Sequence, residues 1–90
     1  MVKMVLTGLD KDIILDIERA VANAYAKHPL FATNMHEVVS LATEELGEFA
    51  QAVNDRNPES AKKEALDLIA VMVRYLQEEK QNEKKSDLLH

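Results

Sequence analysis

Apolar residues recur along this chain at the three- and four-residue spacing that lines one face of an α-helix. Ile13, Ile17, Ala20, Val21 and Ala24 give the first such face. Asp10 or Asp12 is suited to cap its start. His28-Pro29 ends it after Lys27, because a residue before proline disfavours the α region. Residues 30–33 form a short connection. Asn34 is a good N-cap, with Glu37 where a capping box wants an acid. The second helix is predicted from Met35 to about Arg56. Arg56-Asn57-Pro58 then reads as a stop and restart, with Asn57 as cap and Pro58 at the first helical position. The third helix is predicted to run to about Lys80. Residues 81–90 are polar apart from Leu88 and Leu89, and are expected to be a frayed or loosely docked tail. The expected architecture is an all-α bundle, with one domain over 1–80 and a tail over 81–90. Its core is an antiparallel hairpin of the second and third helices.

Projection at about 100° per residue places Val38, Leu41, Ala42, Leu46, Phe49, Ala52 and Val53 on one half of the second helix. Glu45 falls inside that apolar arc, Glu48 falls at its edge, and Glu44 lies further out. The third helix is apolar over about two thirds of its circumference. Its polar stripe carries Lys63, Asp67, Arg74 and Glu78, with Glu64 beside it. So broad an apolar surface asks for more than one packing partner. A second copy of the chain is the expected one.

A carboxylate on a core face costs several kcal/mol unless it is protonated or paired. In a hairpin, residues equally distant from the turn are neighbours, so Glu45, Glu48, Glu64 and Asp67 converge on one point. A hard divalent cation would neutralise them, and an oxygen-only set suits Mg²⁺ or Mn²⁺ better than Zn²⁺. Di-iron bundles use Glu-x-x-His pairs. None of His28, His36 and His90 has a Glu three residues before it. Acid-bound Mg²⁺ commonly carries a phosphate substrate as well.

Composition narrows the classes. The 90 residues hold 16 acidic and 11 basic side chains, for a net charge of −5. That balance argues against a nucleic-acid or anionic-membrane binder. The absence of cysteine excludes disulfides, thiolate zinc sites and cysteine nucleophiles. The longest apolar run, 68–73, is too short to span a bilayer. Residues 1–8 lack the core of a secretory signal, so a cytoplasmic location is expected. With only two Gly and two Pro, a strand-rich fold is disfavoured.

Glu44-Glu45-Leu46-Gly47-Glu48, followed after fifteen residues by Glu64-Ala65-Leu66-Asp67, resembles the EExxE…ExxD signature of MazG-like all-α NTP pyrophosphohydrolases. The surrounding LATEELGEFAQAV and KKEALDLIAVMVRYL are similar to that family's two central helices, and the resemblance covers about 35–76. It implies hydrolysis of (d)NTPs to the monophosphate and pyrophosphate, in dimers or tetramers. It also implies Mg²⁺, with Mn²⁺ able to substitute, held by Glu45, Glu48, Glu64 and Asp67. Glu44 is then a candidate to orient the attacking water or to bind a second ion. Lys63 and Arg74 are candidates to meet phosphate oxygens, or else are exposed charges on a solvated stripe. Tyr25 and Phe31 wall a base pocket or pack in the core. The related phosphoribosyl-ATP pyrophosphatases share the acids and stand as an alternative. A non-catalytic oligomerisation or partner-binding module is the alternative from another class.

Overall fold

The computed structural model describes residues 8–31 and 34–89, with side chains through residue 84. The expectation drawn from residues 1–8 lies, but for Gly8, outside them, as do the side chains of Leu88 and Leu89. The described residues form three helices and no strand: α1 (Lys11–Lys27), α2 (Met35–Asn54) and α3 (Pro58–Leu89). None of these helices is long and apolar enough to cross a membrane.

Local chemistry sets the helix ends. Asp10 caps α1, its side chain accepting from the Asp12 amide at 2.8 Å. Asn34 caps α2 by accepting from the Glu37 amide at 3.0 Å. Asn57 accepts from the Ser60 amide at 3.1 Å, and Pro58 opens α3. Each cap satisfies an amide that lacks a partner within its helix.

Two ends differ from expectation. Helix α2 stops at Asn54, because Arg56 takes the left-handed conformation at φ 55°. Its amide donates to the Val53 carbonyl, and the Asn57 amide donates to the Ala52 carbonyl, both at 3.0 Å. This is the Schellman closure, which usually employs glycine. Helix α3 continues to Leu89 where a tail was expected after Lys80. The extension, QNEKKSDLL, includes Gln, Glu, Lys and Leu and is free of Gly and Pro, so propensity carries the helix beyond its packed part.

Helix α3 is the organising element. It packs against both α2 and α1, while α1 scarcely meets α2. Among the described residues the buried apolar side chains are Val38, Ala52 and Ala70 alone. Small residues at these points let the helices approach closely. Ile17, Val21 and Ala24 of α1 are half-buried, and the Lys62 ammonium lies 3.4 Å from Asp16 across the α1–α3 seam. Met35, Val39, Leu46, Val53, Met72 and Leu76 remain exposed. Several of them border a shallow apolar groove of about 250 Å³ between α2 and α3. The radius of gyration is 15.2 Å, against about 12 Å for a closed globule of this length.

Arg56 carries the steric cost of a Cβ in the left-handed region, and among the described residues its side chain makes no hydrogen bond or ion pair that would be lost. Arg56→Gly should therefore stabilise the chain by about 0.5–1 kcal/mol, read as a higher urea midpoint at an unchanged m-value. Asn57→Ala, which removes the α3 cap, should cost about 1 kcal/mol in the same assay.

Candidate functional site

Glu45 and Glu48 lie one turn apart on α2, and Glu64 faces them from α3. One oxygen of each falls within 4.8 Å of the others. Glu45 and Glu64 are half-buried, and Glu48 is exposed. The Oε1 atoms of Glu45 and Glu64 are shielded from solvent and have no hydrogen-bond partner. A buried carboxylate oxygen without a donor is destabilising, and neighbouring carboxylates add repulsion.

The titration behaviour follows from this crowding. Burial, then the charges of Glu48 and Asp67 and the proximity of Glu64, push the Glu45 carboxyl up to about 7. Glu48 is also raised, first by its contact with Glu64, then by desolvation and by the charges of Glu64 and Glu44. Close carboxylate pairs of this kind are eased by a shared proton or by a cation.

Asp67 stands beside the cluster without joining it. Its Oδ2 accepts from the Lys63 ammonium at 2.7 Å, one turn back along α3. That contact is the leading cause of a raised Lys63 pKa. The structure thus brings together three of the four expected metal ligands, with the fourth adjacent and ion-paired. Glu44 is exposed on the rim of the same region.

An open cleft of about 590 Å³ lies beside the cluster, which reaches it through Glu45; Glu48 and Glu64 are absent from its lining. Glu44, Glu45 and Asp67 line one side, and Ala20, Asn23 and Lys27 of α1 line the other. Phe31 and Arg74 also face it. Arg74 was expected to meet phosphate oxygens or else to be an exposed charge on a solvated stripe; it is only 3% exposed, so the second reading does not hold. Its guanidinium lies 4.3 Å over the Tyr25 ring and 4.9 Å from that of Phe31. Both rings therefore pack on a cation. Lys63 is exposed.

Asn23 and Lys27 were not singled out in the sequence. Their signal was the α1 face on which Ala20, Asn23, Ala24 and Lys27 recur at three- and four-residue spacing. His36 is exposed on the first turn of α2 and is absent from the residues that line the cleft.

Comparison of the chain with protein-family models, with curated proteins and with solved structures gives no match. The site must therefore be read from its own geometry.

A carboxyl raised from its ordinary value of 4.5 to about 7 keeps in the folded chain a proton that the unfolded chain has released. Its contribution to stability is complete below pH 4.5 and is lost as pH rises towards 7. In a chelating buffer the melting temperature should therefore fall between about pH 5 and about pH 8. Glu45→Gln should flatten that slope and melt a few degrees above the parent at the higher pH.

Proposed function

We propose that this chain is a Mg²⁺-dependent nucleoside triphosphate pyrophosphohydrolase, as its resemblance to the MazG-like family implies. The reaction is (d)NTP plus water to (d)NMP plus pyrophosphate, a housecleaning of the nucleotide pool. The observation that carries the reading is the convergence of Glu45, Glu48 and Glu64, with two shielded oxygens lacking a donor, beside a cleft of nucleotide size. Shielded carboxylate oxygens without a donor are costly for a fold that has no use for them.

The donor set fits the ion. All contacts available are carboxylate oxygens, the preference of Mg²⁺ and Mn²⁺. Glu45, Glu48 and Glu64 would hold it, with Asp67 as a fourth ligand if Lys63 gives it up. A bound Mg²⁺ supplies neutralisation of triphosphate oxygens and of charge developing in the transition state. Glu44, exposed at the rim, is the residue to accept a proton from the attacking water. Lys63 beside Asp67 is placed to meet phosphate oxygens that enter there. Helix α1 closes the cleft opposite the acids, where the nucleoside end would lie.

In this reading α2 and α3 form an antiparallel hairpin, and the exposed apolar face around Leu46 and Met72 is covered by another copy of the chain. The same face favours a second reading, a non-catalytic module that binds a helical partner. Phosphoribosyl-ATP remains the alternative substrate.

Anion-exchange analysis of products from a panel of canonical and damaged (d)NTPs with Mg²⁺ tests the reaction. Monophosphate and pyrophosphate should appear in equal amounts. Turnover should fall by about two orders of magnitude or more in Glu48→Gln and Asp67→Asn. An active Glu44→Gln would remove Glu44 from proton transfer while leaving the metal site standing. No turnover of any triphosphate would favour the binding module or the narrower substrate. Light scattering should find a dimer or tetramer, and Leu46→Glu should shift it towards monomer.

A further inference from the structure

Arg74 is the one charged side chain buried among the described residues. A guanidinium is permanently cationic, so its burial needs compensation. No carboxylate pairs with it among those residues. Its partners belong instead to the end of α1. Nη1 donates to the Ala24 carbonyl at 3.1 Å, and Nη2 approaches the Pro29 carbonyl at 3.5 Å. The Ala24 carbonyl also accepts from the His28 amide at 2.9 Å, the contact that terminates α1. Arg74 thus brings a cation and two donors to a helix C-terminus, where unpaired carbonyls and the helix dipole favour positive charge. Tyr25 and Phe31 cover the guanidinium from α1 and from the connection that follows it. Tyr25 is further tied to α3 by its hydroxyl, which donates to Gln77.

The placement of α1 depends on such ties. Helix α1 packs on α3 and scarcely touches α2, yet it supplies the cleft wall that faces the acids of α2. We propose that Arg74 is a positioning residue: a latch from α3 that caps the C-terminal end of α1 and fixes the cleft wall against which the nucleoside end of a nucleotide would rest. One donor of each terminal nitrogen is directed at the backbone of the α1 end, which is where the latch acts, while the buried Nε has no partner among the described residues. The activity readout of this role rests on the pyrophosphohydrolase reading, whereas the latch itself does not.

Arg74→Lys keeps the charge and loses the planar fork. Tyr25→Leu removes one covering ring without altering a residue that lines the cleft, and serves if the first variant folds poorly. Hydrogen exchange on the full chain should rise about tenfold or more at amides 24–31 in both variants, with the facing turns of α2 and α3 unchanged. With the parent's preferred nucleoside triphosphate, KM should rise about tenfold while kcat holds and inhibition by tripolyphosphate stays constant. Unchanged exchange at 24–31 would overturn the latch. Tripolyphosphate inhibition weakening in step with KM would make Arg74 a phosphate contact and overturn the positioning role. If the parent turns over no triphosphate, the pyrophosphohydrolase reading fails, and exchange alone decides the latch.

Discussion

Crowding of negative charge between α2 and α3 is the constraint around which this molecule is organised. Glu45 occupies a position that the helix period reserves for an apolar side chain, and Glu64 meets it from across the seam. The fold accommodates them by raising the Glu45 carboxyl to about 7, by pairing Asp67 with Lys63, and by leaving Glu48 exposed. Proton, ammonium and solvent each relieve part of the repulsion. A divalent cation would replace all three at once, which is the physical reason to read the cluster as a metal site.

A second constraint follows from size. With Val38, Ala52 and Ala70 as the buried apolar residues among those described, these helices withdraw little hydrocarbon from water. Much of the apolar surface of α2 and α3 points away from the acidic cleft, and α1 covers the other side of α3. The two faces therefore differ in chemistry. One presents charge and cavity, and the other presents side chains such as Leu46 and Leu76 that gain by being covered. Self-association on the second face would leave the first open.

Much of this was legible in the amino-acid order, because it is local. Asp10, Asn34 and Asn57 announced the helix starts by their position before apolar-periodic runs. Glu45 announced its own burial by lying between Val38 and Ala52 on the wheel. The Lys63–Asp67 pairing was available from its four-residue spacing. The burial of Arg74 was not, since the groups that enclose it lie 45 and 50 residues away. On its own helix it looks like one more charge in a polar stripe. The length of α3 was missed for a different reason. Polarity was read as fraying, although Glu, Lys and Gln favour helix without packing. Chain pattern thus locates the acids well and the wall opposite them poorly.

The three residues between α2 and α3 act as a ruler for the acidic cluster. Their hydrogen bonds close on α2 itself, through Val53 and Ala52, and Asn57 hands the chain directly to Pro58. Each residue of helix carries a side chain through about 100° and 1.5 Å along the axis. One residue added after Arg56 and absorbed into α3 would swing Glu64 and Asp67 off the seam and bring Lys63 and Leu66 into their places. Residues added beyond Leu76 would leave the acids where they are. Length changes at the far end therefore leave the acids in register, while the number of residues at this turn sets which side chains meet.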